Sequence, residues 1–287
     1  MAPPATDAGR VKAQLAKARA TLATAGIPLP WLDAEILVAH VVHSSRERLH
    51  SHPDRLLTVA QRARLRRLTS RRAARVPVPY LVGEREFFGH MFRVTPAVLI
   101  PRPSSELLVE LAVDWLKPHP NARRVIDLGT GSGAVAISVA KAVPQVRIEA
   151  RDVSARALRV AADNIAHHRL RRRITTVKAD LLRGAKPADV ILANLPYIPD
   201  ALRRVRPKEL DYEPALALDG GKDGLDLIRT ALAQAPTAVK PGGLVLFECD
   251  PAQTRRIVRL VQGHWPAADV SVHKDLAGQD RVVRIQT

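Results

Sequence analysis

Three alternating glycines stand where an apolar strand gives way to a helix. The run Asp127–Gly133 (DLGTGSG) follows an apolar stretch that begins at Val125, and helical periodicity starts at Ala134. A glycine-rich turn that opens a helix lets the backbone approach a ligand closely, as in nucleotide and cofactor sites. The spacing differs from the dinucleotide fingerprint, and no lysine follows to hold a phosphate. The turn therefore favours a cofactor without a pyrophosphate, with an ordinary tight turn as the alternative.

Downstream of Arg123 the chain alternates between short apolar strands and helices. Seven strands are predicted, at Val125–Leu128, Val146–Ala150, Ile174–Val177, Val190–Ala193, Leu244–Glu248, Val270–His273 and Val282–Ile285. This alternation predicts an α/β fold, with a doubly wound, mostly parallel seven-stranded sheet and helices on both faces. The loop between the last two strands is too short for a crossover helix, which predicts an antiparallel hairpin at the sheet edge.

The first 75 residues have a different pattern. Apolar residues recur at helical spacing from Val11 to Leu22, from Trp31 to Val42 and from Val59 to Leu68, without strand alternation. Residues 1–75 are therefore predicted to form a small all-α domain, and residues 104–287 a second domain that contains the sheet.

Residues 76–103 are predicted to link the two domains. This segment holds five prolines and most of the phenylalanines of the chain. Its stretch Phe87–Phe92 is typical of a β-hairpin with a turn near Gly89. Ser104 or Ser105 is placed to cap the helix that follows.

The chain carries a net charge of +17, and residues 1–75 contain 14 Lys and Arg against five Asp and Glu. A basic surface attracts RNA or an acidic protein by long-range steering. We therefore expect proximity to RNA or the ribosome. An arginine- and alanine-rich composition from a GC-rich coding sequence is the alternative reason for the same excess.

Other features exclude several classes of protein. Cys249 is the single cysteine, so an internal disulfide is impossible and a reducing compartment is favoured. The apolar runs are far shorter than the ~20 residues of a membrane span, and Met1–Arg10 lacks the apolar core of a secretory signal. The histidines show no metal-binding spacing. We expect a cytoplasmic protein without metal or membrane contact, with an Arg-rich transit peptide as the alternative reading of its start.

Two carboxylates follow the second and third strands of the predicted sheet. Asp152 ends the second strand, where a carboxylate accepts the two hydroxyls of a ribose. Asp180 follows the third strand, at a position close to an adenine edge in this architecture. A helix cap or a turn is the alternative role of each. The sequence offers no explanation for Arg151, which stands beside Asp152.

The stretch Asn194–Tyr197 (NLPY) follows the fourth strand, at the carboxyl end of the sheet where such folds bind substrate. The asparagine oxygen and a nearby main-chain carbonyl can each accept one N–H of an –NH2 group. The tyrosine ring can cover the flat face of an amide or a base. A proline-containing turn is the alternative.

Together these motifs resemble the class I S-adenosylmethionine methyltransferases that act on amino or amide nitrogens. Further segments are similar to the release-factor glutamine N5-methyltransferases, and the likeness covers nearly the whole chain. These segments are Tyr80–Phe87, Leu99–Glu106, Tyr212–Leu218 and Gly220–Leu225.

The resemblance implies transfer of a methyl group from S-adenosylmethionine to the glutamine side-chain amide in the Gly-Gly-Gln loop of a class 1 peptide chain release factor. It further implies that the helical domain grips this protein substrate. We expect a monomer. The implied cofactor-binding residues are Asp127, Gly129, Thr130, Gly131, Ser132, Gly133, Asp152, Asp180, Leu181 and Asn194. The implied catalytic residues are Asn194, Pro196 and Tyr197, and the substrate-binding residues are Asn194, Leu195, Pro196, Tyr197, Arg102 and Glu213.

Two departures from the family pattern keep other functions open. Leu195 replaces a proline, which gives the form typical of ribosomal RNA adenine dimethyltransferases. Ser104 and Ser105 stand where the family usually has an acidic residue and threonine. The alternatives are an RNA or DNA adenine N6-methyltransferase and a diverged cofactor-binding partner of translation.

Overall fold

The computed structural model describes residues 7–202 and 204–287. The chain divides into two compact units. One ends at Gly83 and includes Lys208–Tyr212; the other comprises Glu84–Pro207 and Glu213–Thr287. The sequence predicts domain limits at residues 75 and 103. These limits stay predictions, and the structural division of the chain falls after Gly83. The expectation about the start of the chain rests partly on residues 1–6, which lie outside the described residues.

Helices build the first unit. They are α1 (Val11–Thr24), α2 (Pro30–Val42), α3 (Arg46–Ser51), α4 (Val59–Ala73) and α5 (Val78–Val82). Pro30 occupies the first turn of α2, and Thr58 forms a capping box with Gln61 at the start of α4. The three predicted helices are confirmed. Helices α3 and α5 were not predicted, because six and five residues are too few to show helical periodicity.

The segment Lys208–Tyr212 packs into this first unit. Arg72 is 7% exposed, and its guanidinium bonds Asp33 at 2.7 Å and Glu209 at 3.1 Å. The Tyr212 hydroxyl donates to the Ala74 carbonyl at 2.7 Å. A buried guanidinium needs charged acceptors around it. Glu209, from a segment remote in sequence, supplies the second carboxylate that pairs with Arg72 of α4.

The second unit opens with the predicted hairpin, which is confirmed. Strands β1 (Glu84–Phe87) and β2 (His90–Arg93) pair antiparallel. Phe88 and Gly89 form the turn with φ of 50° and 70°, as a two-residue hairpin turn requires. Phe87 and Phe92 are buried in the core.

The predicted strand–helix alternation follows the hairpin. Its elements are α6 (Glu106–Leu116), β3 (Arg124–Leu128), α7 (Ala134–Ala142), β4 (Arg147–Asp152), α8 (Ala155–His167), β5 (Ile174–Lys178), β6 (Ala188–Ala193), α9 (Asp226–Ala238), β7 (Val239–Glu248), α10 (Thr254–His264), β8 (Asp269–Lys274) and β9 (Asp280–Gln286). All seven predicted strands lie in one sheet.

The strand order is β5-β4-β3-β6-β7-β9-β8. The first five strands run parallel, and β9 is antiparallel to both β7 and β8, which confirms the predicted edge hairpin. Successive strands step outward from β3 on one side and from β6 on the other. The crevice of such a sheet lies where the order reverses, at the carboxyl ends of β3 and β6. The glycine turn follows β3, and Asn194 follows β6.

Both faces of the sheet are covered, as a parallel sheet requires. Val125, Val190 and Leu246 belong to one apolar cluster, while Ile126 and Phe247 belong to the other. Among the described residues, no helix combines the length and apolarity that crossing a membrane requires.

Candidate functional site

The glycine turn between β3 and α7 is held by the polar groups around it. Gly129, Gly131 and Gly133 all have positive φ, between 54° and 79°. The Thr130 amide donates to the carbonyl of Arg151 at 2.9 Å. The Gly131 amide donates to Asp152 Oδ2 at 3.0 Å. The turn is thus tied to the end of β4.

Asp127 lies beneath this turn and is 3% exposed. The Thr130 hydroxyl donates to its Oδ2 at 2.6 Å. Burial raises the pKa of Asp127 to about 7, although the hydrogen bonds from Thr130 and Ala136 act to lower this pKa. A carboxyl group in a cleft with such a pKa marks a candidate functional site. A cation bound in the cavity would favour its ionised form.

Asp152 and Asp180 reach the same cavity from the ends of β4 and β5. Asp152 Oδ1 also accepts from the amide of Ser154 at 2.8 Å. Burial raises the pKa of Asp152, against the hydrogen bonds from Ser154 and Gly131. Asp180 is exposed at the rim.

Arg151, unexplained by the sequence, positions the turn that follows β5. Its side chain is buried and forms an ion pair with Glu149. Its Nε donates to the carbonyl of Leu181 at 2.8 Å, and its Nη2 to that of Arg183 at 2.6 Å. Leu181 has a φ of 50°. Arg151 therefore fixes the turn that carries Asp180 and Leu181 to the cavity.

Asn194 lies directly against the glycine turn. A Cβ atom on Gly129 would meet the Asn194 carbonyl oxygen and Leu195 Cδ2, each at 3.4 Å. Asn194 Nδ2 donates to the hydroxyl of Ser105 at 2.8 Å. Its amide nitrogen is engaged by the protein, so Oδ1 is the atom left to accept a hydrogen bond from a ligand. Leu195 is 3% exposed, so its side chain packs inward.

The capping role predicted for Ser104 or Ser105 is wrong. Helix α6 begins after Ser105 without a side-chain capping bond. Ser105 instead accepts from Asn194, and the Ser104 hydroxyl donates to Glu248 Oε1 at 3.2 Å. The serine hydroxyls contact polar groups at the ends of β6 and β7, and such tertiary partners outweigh the local capping preference.

The glycine-containing segment Gly220–Leu225 supports the backbone around Tyr197. A side chain on Gly224 would collide with the Tyr197 carbonyl, and Gly224 has a φ of 79°. Gln253 Nε2 donates to that carbonyl at 2.9 Å and to the Asp223 carbonyl at 3.3 Å. Burial raises the pKa of the Tyr197 hydroxyl above its usual range, so the phenol remains neutral.

Glu213 braces the other wall of the cavity. Its side chain is buried; it forms an ion pair with Arg102 and accepts from the Ile100 amide at 3.0 Å. Both carboxylate oxygens are therefore bonded within the protein. Arg102 lines the cavity.

These residues surround one cavity of about 290 Å³. Predicted residues in its lining are Arg102, Asp127, Gly129, Thr130, Gly131, Ser132, Asp152, Asp180, Leu181, Asn194, Leu195 and Pro196. The other three predicted residues, all within the described part of the chain, are not in the lining: Gly133, Tyr197 and Glu213. The cavity joins a mainly apolar floor to a few convergent polar groups, as small-molecule sites do. No described group of His, Cys, Asp and Glu could hold a metal ion.

Sequence reasoning assigned no role in the site to three residues that hold it, and two of them, Arg151 and Ser105, also line the cavity. Arg151, Ser105 and Gln253 each bond a segment that reaches the site from another part of the chain. The unexplained charge of Arg151 beside Asp152 and the place of Ser105 in the family-like segment Leu99–Glu106 were sequence signals, whereas Gln253 gave none.

Two family models match the chain. The PrmC N-terminal domain matches residues 13–83, and the methyltransferase small domain matches residues 103–205.

Curated relatives match nearly end to end. The release factor glutamine methyltransferase of Moorella thermoacetica is 39% identical over 93% of this chain and 95% of that protein. The protein of the same name from Bordetella pertussis is 41% identical over 88% of this chain and 94% of that protein. Among solved structures, a ribosomal protein L11 methylase from Lactobacillus delbrueckii subsp. bulgaricus aligns with a TM-score of 0.50. It is 20% identical over 68% of this chain and 84% of that one, and it supports the sheet architecture alone.

Proposed function

This chain belongs to the release factor glutamine methyltransferase family, and we propose that it transfers a methyl group from S-adenosylmethionine to the side-chain amide nitrogen of a glutamine in a peptide chain release factor. The glutamine is the one in the Gly-Gly-Gln loop of a class 1 factor. We place the reaction in the cytoplasm, where a translation factor is available, and expect a monomeric enzyme.

One observation carries the proposal: Asn194 lines the cavity, its main-chain carbonyl lies against the glycine turn, and its side-chain amide is held by Ser105. Its nitrogen is held by Ser105, so its oxygen is available to a donor. A primary amide offers two N–H donors and lies in a plane. Asn194 Oδ1 can accept one of them, and the main-chain carbonyl of Leu195 or Pro196 the other. Tyr197 stays a predicted cover for the amide plane, since it is not among the described residues that line the cavity.

The cavity suits an adenosyl cofactor. The glycine turn offers close backbone approach, Asp152 can accept ribose hydroxyls, and Asp180 and Leu181 border the position for the base. Asp127 is a buried carboxyl that a nearby cation would ionise. These features fit a ligand that combines a nucleoside with a positive charge and has no phosphate.

S-adenosylmethionine supplies a methyl group on an electrophilic sulfonium, so the protein has no bond to activate on the donor side. An amide nitrogen is a poor nucleophile because its lone pair is delocalised. The contribution of the protein is therefore to hold the nitrogen in line with the methyl and to exclude water. After transfer the nitrogen carries a positive charge, which it loses by releasing a proton to solvent. Tyr197 stays protonated and is no base for this step.

A second candidate is methylation of adenine N6 in RNA. The Asn194-Leu195 pair and the net charge of +17 favour it. Adenine also presents a planar –NH2 group, so the same oxygen acceptors would serve.

A transfer assay with methyl-labelled cofactor separates the candidates. Purified protein is given release factor in one reaction and ribosomal RNA in another. We expect label in the release factor alone. Label in RNA alone would overturn the proposal. Cofactor binding without transfer to either would indicate a non-catalytic partner of translation.

A further inference from the structure

Asn164 of α8 is a buried amide that holds two segments of the second unit. Its side chain is 0% exposed. Its Oδ1 accepts from the Arg93 amide at 2.9 Å, and its Nδ2 donates to the Arg93 carbonyl at 3.0 Å and to the Ser132 carbonyl at 2.8 Å. Both hydrogens and the oxygen of the amide are therefore used. Because an unpaired buried amide costs free energy, Asn164 favours the arrangement that satisfies all three bonds.

The first segment leaves the end of the hairpin. Arg93 is the last residue of β2, and Asn164 pairs with its main-chain N–H and carbonyl as a neighbouring strand would. Residues 94–102, here called the wall segment, then run to the cavity. The lining residues of the wall segment are Ala97, Val98, Leu99, Pro101 and Arg102. Asn164 thus fixes the point from which this wall of the cavity starts.

The second segment is the glycine turn. Ser132 lines the cavity, and Asn164 holds its carbonyl. The amide of the next residue, Gly133, donates to the Thr130 carbonyl at 2.8 Å. The carbonyl and the N–H of the peptide bond between Ser132 and Gly133 are thus both held, and this planar group keeps one orientation. The bonds to β4 hold the start of the turn, and Asn164 holds its end.

We propose that Asn164 is a positioning residue for the cofactor, because it holds the glycine turn and the wall segment in the relative arrangement that the cofactor binds. The inference rests on the proposed function, since it takes S-adenosylmethionine as the ligand of the cavity. It makes cofactor affinity depend on Asn164, which is absent from the described lining of the cavity.

The expected loss of affinity follows from the bonds of Asn164. Without its amide, the peptide bond after Ser132 can adopt other orientations. The apparent Kd then rises by the reciprocal of the fraction of molecules that keep the competent one. One net hydrogen bond corresponds to about a tenfold change in such an equilibrium. We therefore expect the Kd for the cofactor to rise about tenfold when the amide is removed.

The test is Asn164→Ala in the full-length protein, at a temperature where circular dichroism shows that the variant is folded. Calorimetry should give the tenfold rise in the Kd for S-adenosylmethionine. In release factor methylation, the KM for the cofactor should rise by a similar factor. The kcat at saturating cofactor should change less than about threefold, because the variant loses ground-state binding and keeps the acceptors at Asn194. General damage would lower kcat as well.

Gln286→Ala is the matched control. Gln286 is also an amide that joins a glycine-containing segment to a helix. Its Nε2 donates to the Gly242 carbonyl at 2.6 Å, and its Oε1 accepts from Trp115 of α6 at 2.8 Å. It lies beside the amino end of β7, at the end of the sheet away from the cavity. We expect both variants to lower the unfolding midpoint, but Gln286→Ala should leave the Kd for the cofactor within about twofold of the wild type.

Hydrogen exchange of the wild-type protein tests the same link without a variant. Residues 88–94 belong to the described part of the chain and are not in the cavity lining, but Asn164 joins Arg93 to the glycine turn. Saturating S-adenosylmethionine should therefore slow exchange in a peptide of residues 88–94 more strongly than in one of residues 280–286. The second peptide corrects for the stability that any bound ligand adds to the whole fold.

Three results would overturn the inference. They are equal slowing of exchange in the two peptides, a Kd of Asn164→Ala within about twofold of the wild type, and an equal loss of affinity in Gln286→Ala. A wild-type protein that binds no S-adenosylmethionine would instead reject the proposed function.

Discussion

The raised pKa of Asp127 makes a quantitative prediction about stability and pH. In the folded protein this carboxyl group keeps its proton up to about pH 7, because burial disfavours its charge. In the unfolded chain it ionises near its ordinary value of 3.8. The folded state therefore binds the extra proton between these values. The free energy of unfolding must fall as pH rises through this window and level off above it.

The size of this effect follows from the shift. One pKa unit corresponds to about 1.4 kcal/mol, so the full shift amounts to roughly 4 kcal/mol. About 3 kcal/mol of this falls between pH 5 and pH 8 by the linkage relation. Asp127→Asn keeps an oxygen to accept the Thr130 hydroxyl and has no proton to release. The free energy of unfolding of the variant should therefore rise by about 3 kcal/mol relative to that of the wild type as pH rises from 5 to 8.

Urea unfolding of both proteins at several pH values measures this difference directly. The two curves of unfolding free energy against pH should diverge up to about pH 7 and then run parallel. Curves that stay parallel from pH 5 to 8 would refute the reasoning, since they would mean that Asp127 is already ionised in the folded protein at pH 5.

Three further predictions concern the site. Asn194→Ala should lower kcat by ~10² or more, as methyl transfer to release factor would measure; near-normal turnover contradicts the role. Arg151→Lys should weaken cofactor binding about tenfold, because an ammonium group cannot replace the two guanidinium bonds that hold the turn after β5. An unchanged cofactor affinity in calorimetry would count against this role of Arg151. Gly224→Ala should destabilise the protein by more than the ~1–2 kcal/mol expected from positive φ alone, because its Cβ meets the Tyr197 carbonyl. Gly278→Ala, with a φ of 76° and open space around it, is the matched control, and equal losses in the two variants would disprove the collision.

Much of the fold could be predicted because its signals are local. The run Asp127–Gly133 marks a strand, a turn and a helix within a few residues. Alternating apolar stretches then specify the remaining parallel strands. The short loop before Asp280 was enough to predict an antiparallel hairpin at the sheet edge. Within that hairpin, β8 is the edge strand, and β9 lies between β8 and β7. Short helices such as α3 gave no periodic signal.

Part of the lining could also be predicted, since glycines and strand-end polar residues are visible as motifs. The contacts that hold the lining together could not. Ser105 bonds Asn194 across 89 residues, and Arg151 bonds Leu181 across 30. Such pairs depend on which strands become neighbours, and no local pattern records that. Ser105 shows the consequence, because its local capping preference pointed to a role that a tertiary partner overrides.

The central claim is that the oxygens at Asn194 present a glutamine side-chain amide to a methyl donor. Fragment mass spectrometry of release factor, from cells with and without this protein, tests it most directly. We predict one added methyl group on the side-chain amide of the Gly-Gly-Gln glutamine, present only when the protein is present. An unmethylated glutamine in both samples, or a methyl group that persists without the protein, would contradict the account.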